Sequence, residues 1–217
     1  FNLEYDPTIL SLESVEEGNL LRVGDGTTFF QNGTVNEKEG TVTGLSSTYL
    51  GTGGVSMFAL QFACMLGARP IVISSNDGKL ERARSMGAVG LINYQTTPEW
   101  QDKVVELTDG VGVDVVVEVG GAGTLERSVA ATRVAGRIAL IGVLAGGTMN
   151  PTMMMRKSIR LQGIYVGSHE MFKRMNEAIS THQLSPVIDQ TFPFADAASA
   201  YYAMQRAEHL GKLVVTF

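Results

Sequence analysis

The sequence contains a single cysteine among its 217 residues and no long hydrophobic run. Because Cys64 stands alone, a disulfide framework within the chain and any cysteine-rich zinc site are excluded. The longest apolar runs, such as residues 138–145, have the length of buried strands, whereas a membrane span needs about 18 residues. We therefore expect no membrane partner. The acidic first residues lack the apolar core of a signal peptide, which predicts a cytoplasmic protein.

The chain also lacks an excess of positive charge. Its 17 Lys and Arg residues stand against 22 Asp and Glu residues, and residues 1–40 alone hold eight acidic and two basic residues. Nucleic acids are bound by basic stripes or patches, which this distribution does not offer. We therefore expect a small-molecule substrate and no nucleic-acid partner.

Short apolar segments alternate with amphipathic helical segments from about residue 48 onward. That alternation is typical of βαβ units on a parallel sheet, and it predicts a Rossmann-type, doubly wound α/β fold. The predicted strands are 70–74, 90–94, 114–119, 137–142, 159–166 and 211–217, and the predicted helices are 55–66, 79–86, 98–108, 124–132, 172–181 and 195–206.

The pattern divides the chain into three segments. Residues 1–47 carry scattered hydrophobic residues and turn signals, which predict a short, irregular, β-rich segment. Residues 48–184 form the predicted Rossmann-type domain, and residues 185–217 add a C-terminal helix and strand.

Glycine is abundant, with 25 residues, and its placement is informative. Residues 50–56 read LGTGGVS where an extended stretch meets a long apolar helix. Gly51 is expected to make a tight turn and Gly53 to let the backbone approach a pyrophosphate, whose charge the helix N-terminus would face. Ser56 replaces the third glycine of the G-x-G-x-x-G pattern. The complete βαβ context favours a dinucleotide site over a simple turn.

The end of the second strand reads Ser-Ser-Asn at residues 74–76, where an Asp or Glu would hold the ribose of NAD. Lys79 in the next helix is the candidate to bind a 2′-phosphate, so NADP(H) is the preferred cofactor. Because Asp77 follows shortly after the end of this strand and carries a carboxylate, NAD(H) stays an alternative cofactor. The alternative interpretation is that Asn76 or Asp77 caps the helix, with Lys79 and Arg82 on a solvated face.

Three more strands are followed by glycine, at Gly120, Gly142 and Gly167. Each could be an ordinary turn. Because ligands of open α/β sheets lie along the carboxyl ends of the strands, their recurrence favours a shared ligand-binding edge.

The ordered stretches GTGGVSMFALQFACMLGARPIVISSNDGKLERARSMGA, INYQTTPEW, GVDVVVEVGGAGTL, GRIALIGVLAGG, GIYVGS and GKLVV resemble the nucleotide-binding domain of medium-chain dehydrogenases/reductases. Within that family they resemble the zinc-type alcohol dehydrogenase-like and quinone oxidoreductase branch, over about residues 48–217. The resemblance implies a cofactor site made of Gly51, Thr52, Gly53, Gly54, Val55, Ser56, Ser74, Ser75, Asn76, Lys79, Tyr94, Val119, Gly120, Ile141, Gly142, Val143, Val166 and Gly167.

The family also implies a GroES-like catalytic domain before the nucleotide domain, and residues 1–47 do not resemble it. We therefore assign no catalytic residue. Because the family chain returns to that domain near its C-terminus, the resemblance also implies that residues 187–192 and 212–217 find partners in residues 1–47. A zinc site needs three or four converging ligands, and Cys64, His169, His182 and His209 show no paired spacing. The sequence predicts no metal.

These observations predict a zinc-independent NADP(H)-dependent oxidoreductase that transfers hydride to or from a carbonyl, quinone or enone. The first alternative is an NADP(H)-binding module without turnover. The second is an S-adenosylmethionine methyltransferase, which also uses a glycine turn but usually has an acidic residue where Ser74 stands.

The last strand of the predicted sheet, residues 159–166, would be an edge that carries Ile164, Tyr165 and Val166. An uncovered apolar edge pairs readily with another strand. The family implies a two-fold dimer through two such edges, so we expect a homodimer.

Overall fold

The computed structural model describes residues 34–36, 41–43, 46–142 and 147–217. No helix within these ranges is long and apolar enough to cross a bilayer. The elements in chain order are β1 (Thr34–Asn36), β2 (Thr41–Thr43), β3 (Ser46–Leu50), α1 (Gly54–Met65), β4 (Arg69–Ser74), α2 (Asp77–Ser85), β5 (Gly90–Asn93), α3 (Trp100–Leu107), β6 (Val113–Glu118), α4 (Ala122–Ala131), β7 (Thr132–Leu140), α5 (Thr152–Arg156), β8 (Arg160–Gly163), α6 (His169–Thr181), β9 (Ile188–Pro193), α7 (Ala197–Arg206) and β10 (Lys212–Thr216).

The central sheet has six parallel strands in the order β5-β4-β3-β6-β7-β8. The chain starts in the middle at β3, winds outward to β5, and then returns to β6 on the other side of β3. The strand order therefore reverses between β3 and β6, which is the switch point of a dinucleotide-binding sheet. The predicted Rossmann-type, doubly wound parallel sheet is confirmed.

The sheet is covered on both faces, as the continuous apolar strands predict. Along β4, Val72 belongs to one buried cluster while its neighbours Ile71 and Ile73 belong to the other. This alternation follows from the period of two in a strand. The cluster that contains Val72 packs α1 and α2 against one face of the sheet. The cluster that contains Ile71 and Ile73 packs α3 and α4 against the other face. Each fully buried Val or Ile side chain stabilises the fold by about 1.5–3 kcal/mol.

The C-terminal segment packs on the α1 and α2 face. Leu210 is 1% exposed within that cluster. Gln61 on α1 donates to the carbonyl of Ser185 at 2.6 Å, and the guanidinium of Arg82 on α2 lies 3.2 Å from the carboxylate of Asp189. The last strands, β9 and β10, pair with each other in parallel.

Residues 1–33 lie outside the described residues, and so do 37–40 and 44–45. In the part of the N-terminal segment that is described, β1 and β2 form an antiparallel pair. The division of the chain at residues 47 and 184, and the pairing of the C-terminal strands with the N-terminal segment, stay predictions.

Two strands differ from their predicted bounds by three residues or more. The predicted strand 159–166 is limited to β8 because its partner β7 ends at Leu140, opposite Gly163. The second difference is in β7, which is predicted to begin at residue 137 and begins five residues earlier, at Thr132. It contains an irregularity at Ala135, which has φ of 58° and donates its N–H to the carbonyl of Lys157 at 2.7 Å.

A buried carboxylate organises the turn from β6 into α4. Glu118 is fully buried, and its Oε1 accepts hydrogen bonds from the N–H groups of Gly120 at 2.7 Å and Gly121 at 3.0 Å. The hydroxyl of Thr124 donates to the same oxygen at 2.7 Å, and the hydroxyl of Ser128 donates to Oε2. Four donors and the positive end of α4 therefore compensate the burial of this charge.

We expect Glu118→Gln to lower the free energy of unfolding by about 2 kcal/mol, because the amide NH₂ takes the place of Oε2 and removes the acceptor of the Ser128 hydroxyl, while the remaining amide oxygen is a weaker acceptor for the three donors at Oε1. Urea denaturation measures the effect. Glu126→Gln, on the exposed side of α4, is the matched control and should change stability by less than about 0.5 kcal/mol. Equal midpoints for the two variants would contradict the role of Glu118.

Candidate functional site

The glycine-rich turn lies at the switch point, between the end of β3 and the start of α1. Gly51 has φ of 91°, a conformation that favours glycine, and its N–H donates to the carbonyl of Ile73 at 2.7 Å. Gly53 is the N-cap of α1, and a Cβ placed on it would meet no atom within 4 Å. The turn is therefore open to solvent at the end of α1 where N–H groups lack intrahelical partners.

The rest of the turn is anchored. Thr52 is buried, and its carbonyl accepts a hydrogen bond from the N–H of Gly211 at 3.0 Å. Ser56 is buried at 2% exposure, as expected for the small residue that replaces a third glycine. Val55 is 47% exposed. The sequence-predicted residues 51–56 are thus contiguous in space, with Gly53 at the open position.

The turn after β6 and the end of β7 approach each other closely. The N–H groups of Ile141 and Gly142 both donate to the carbonyl of Glu118 at 2.9 Å. A Cβ on Gly142 would overlap the carbonyl group of Val119, so only glycine fits there. Gly121, with φ of 86°, also requires glycine.

A cavity of about 480 Å³ lies beside the glycine-rich turn, at the carboxyl ends of the strands. It brings together four of the sequence-predicted residues from three separate connections, namely Gly51, Tyr94, Val119 and Gly120. Four further residues complete its lining, namely Pro98, Trp100, Thr124 and Arg127. Sequence reasoning missed these four, although the only tryptophan of the chain was a signal for the α3 side of the cavity.

Arg127 also borders a second cavity of about 410 Å³ between α3 and α4. Its guanidinium lies 3.5 Å from the carboxylate of Glu99, which also accepts a hydrogen bond from Gln101 at 2.7 Å. The hydrogen bond from Gln101, followed by the charge of Arg127, lowers the pKa of Glu99. These two neighbours therefore favour an ionised carboxylate at the rim of the cavity.

The end of β4 shows a helix cap and an engaged lysine. Asn76 accepts a hydrogen bond from the N–H of Lys79 at 3.0 Å, which confirms the alternative interpretation of Asn76 as a cap. The ammonium of Lys79 donates to the carbonyl of His209 at 3.1 Å. Asp77 accepts from the amide of Asn93 at 2.8 Å. Ser74 is buried, and Ser75 and Asn76 are exposed.

The remaining predicted residues lie on the β7 and β8 side. Ile141 and Gly142 are half-buried at the end of β7. Val166 is 71% exposed, and Gly167 follows it before α6. Val143 lies outside the described residues. Ile141, Gly142, Val166 and Gly167 do not line the 480 Å³ cavity.

Within the described part of the chain, no group of three His, Cys, Asp or Glu side chains is placed to hold a metal ion. Cys64 donates to the carbonyl of Met86 at 3.3 Å, and burial raises the pKa of its thiol. This environment suits a packed thiol and disfavours a thiolate ligand.

The chain resembles known proteins over most of the described region. The family model of zinc-binding dehydrogenases matches residues 54–181. A zinc-type alcohol dehydrogenase-like protein of Schizosaccharomyces pombe is 40% identical over 191 residues, which are 85% of this chain and 55% of that protein.

Two solved structures have the same fold. An NAD-dependent alcohol dehydrogenase is 31% identical with a TM-score of 0.74, over 80% of this chain and 51% of that one. A mycobacterial protein in complex with NADPH is 25% identical with a TM-score of 0.68, over 79% and 56%. The chain thus spans about half the length of the relatives it matches.

The family match covers more than half of the chain and includes α1, whose N-terminus bounds the open turn, and the β6 to α4 turn. The predicted resemblance is confirmed. The chain belongs to the zinc-binding dehydrogenases, within the medium-chain dehydrogenase/reductase family, and contains their nucleotide-binding domain.

Proposed function

We propose that the protein is an NADP(H)-dependent oxidoreductase that transfers a hydride to or from a carbonyl, quinone or enone without zinc. The observation that carries this proposal is the open glycine turn at the switch point, beside a cavity at the carboxyl ends of β3, β5 and β6. Ligands of doubly wound sheets bind at this place.

The residues present fit a dinucleotide. Gly53 leaves the space that a pyrophosphate needs, and the first N–H groups of α1 offer donors to its oxygens. Tyr94, Val119 and Gly120 would line the adenosine part, in a cavity with room for a base and a ribose. The bound nicotinamide would supply the hydride chemistry. The protein would bind and orient the cofactor and keep water from it.

The end of β4 supports NADP(H) over NAD(H). Asp77 is the nearest carboxylate after β4, and its oxygen is already bound to Asn93. Lys79 holds its ammonium against carbonyl oxygens of the segment before β10. A doubly charged phosphate is a stronger acceptor than a carbonyl, so Lys79 can exchange one partner for the other. NAD(H) binding remains the competing outcome.

We expect Gly53→Ala to weaken binding of NADPH by at least about tenfold, because the new methyl group occupies the space where the pyrophosphate approaches. The folded state should keep its stability, since this Cβ meets no atom within 4 Å and φ is −75°. Fluorescence titration and thermal unfolding measure the two effects.

Gly163→Ala is the matched control for this variant. It also adds a methyl group where no atom lies within 4 Å, but on the edge strand β8. Unchanged NADPH affinity in Gly53→Ala would exclude the turn as the pyrophosphate site.

We expect Lys79→Ala to weaken NADPH by about tenfold or more and to weaken NADH much less, because the charge-assisted hydrogen bond to the 2′-phosphate is lost. Lys103→Ala, which removes an exposed ammonium on α3 that is paired with Glu106, is the control. Calorimetric titration with both dinucleotides gives the ratio. An equal loss for NADPH and NADH would refute the assignment of Lys79.

Turnover separates the oxidoreductase from a binding module. Steady-state oxidation of NADPH by this chain with quinones, enones and aldehydes would support the enzyme. Tight binding of NADPH without turnover on any of these substrates would favour the module that only binds.

We further propose a homodimer through the β8 edge. Leu161 on β8 is 36% exposed, and Tyr165 and Val166 beyond it are 92% and 71% exposed. An edge strand with apolar neighbours pairs favourably with a symmetric copy of itself.

Leu161→Lys should shift the protein from dimer to monomer, because a charge on the edge strand must be desolvated on pairing. Light scattering at micromolar concentration measures the mass. Val111→Lys, at a position 63% exposed between α3 and β6, is the control and should leave the dimer intact. A monomeric wild-type chain would contradict the proposed dimer.

A further inference from the structure

Positive charge is concentrated in one stretch of the chain. Residues 127–169 contain six Lys and Arg residues and no Asp or Glu, although the whole chain has a net charge of -5. Arg160 begins β8 and stands in register with Arg137 on β7, and the carbonyl of Lys157 accepts the N–H of Ala135 at 2.7 Å. The fold thus places four of the six around the amino end of β8, and we call them the basic edge: Arg137, Arg156, Lys157 and Arg160.

Internal contacts hold the backbone of the basic edge in place. The ammonium of Lys157 donates to the carbonyls of Ala130 at 2.6 Å and Thr132 at 2.7 Å, where α4 ends and β7 begins. Next to it, the guanidinium of Arg133 lies 2.6 Å from the carboxylate of Asp114. These two cations therefore have partners within the fold and attach the start of β8 to its neighbours.

The two outer arginines of the basic edge, Arg156 and Arg160, are exposed. Among the described residues, neither forms an ion pair with a carboxylate. Neighbouring strands are about 4.8 Å apart, so Arg160 and Arg137 start from adjacent backbone positions and their like charges repel. An anion bound to the outer arginines would reduce this repulsion.

The location of the basic edge excludes the cofactor as that anion. The glycine turn and the 480 Å³ cavity lie at the carboxyl ends of the strands, whereas Arg160 lies at the amino end of β8. β8 is also the edge strand, separated from β3 by β6 and β7. A dinucleotide at the glycine turn therefore leaves the outer arginines accessible.

We propose that the basic edge is a docking surface for an acidic peptide segment of a partner protein, with Arg156 and Arg160 contacting its carboxylates. The planar guanidinium group binds a carboxylate through two parallel hydrogen bonds. A nucleic acid fits less well, because it requires a longer basic stripe and because the net charge of -5 repels an extended polyanion. Strand side chains project from the faces of a sheet, so docking is compatible with pairing of the β8 edge.

The test is fluorescence anisotropy of a labelled oligo-glutamate peptide titrated with the whole chain. We expect the double variant Arg156→Gln, Arg160→Gln to raise the dissociation constant by about tenfold or more, because two charge-assisted contacts are lost. Wild-type affinity should fall when the salt concentration rises from about 50 to about 200 mM, since exposed charges are screened.

The matched control is the double variant Arg174→Gln, Arg206→Gln. It changes the net charge by the same amount, at two exposed arginines that pair with carboxylates of their own segments. Its affinity for the peptide should differ from wild type by less than about twofold. A second variant, Arg156→Glu with Arg160→Glu, should lose the oligo-glutamate peptide and bind an oligo-lysine peptide, which a merely unfolded surface would not do.

Three results would overturn the proposal. The first is a wild-type chain that does not bind the peptide, and the second is an equal loss of affinity in the two Gln double variants. The third is tighter binding of a single-stranded oligonucleotide or of anionic phospholipid vesicles through the same two arginines, because it would identify another class of partner. The proposal does not depend on the proposed function: a chain that binds the peptide and no dinucleotide would contradict only the latter.

Discussion

The hydrogen bonding of β3 to a parallel strand on each side is the constraint on which the rest of the structure depends. Residues of β3 pair with β4 on one side and β6 on the other. Asp114 at the start of β6 secures the other end by accepting from the N–H and hydroxyl of Ser46 at 2.7 and 2.8 Å. With both edges occupied, the chain must leave the sheet after Leu50 through a tight turn. That turn opens at the switch point, and the site is built around it.

The glycines of the site serve different physical purposes. Gly51 provides a positive φ, and Gly53 leaves open space on the solvent side of the turn. Gly54 leaves room for Lys212, and Gly142 permits backbone contact with Val119. Glu118 then holds the β6 to α4 turn against this point through four donors. Close backbone approach and a satisfied buried carboxylate together define the shape of the candidate cofactor site.

The C-terminal segment contributes contacts to the candidate cofactor site. Its carbonyl oxygens bind Lys79, its Asp189 pairs with Arg82, and its Gly211 is attached to the glycine turn. Lys79, the cation proposed to contact the cofactor, is therefore positioned by contacts with residues far away in sequence. Leu210 joins the same face to the hydrophobic core.

The sequence by itself determined the fold, because apolar strands and amphipathic helices follow local periodicity, and it determined the position of the glycine turn, because that motif is local. It also identified Asn76 as a cap candidate and the family through ordered motifs. Only the tertiary structure decided that β8 ends at Gly163, since the length of its partner limits it. The same holds for Trp100 and Arg127 in the cavity, for Lys79 against His209, and for Lys212 against Gly54. These contacts join residues distant in sequence, and no local pattern records which side chains a fold brings together.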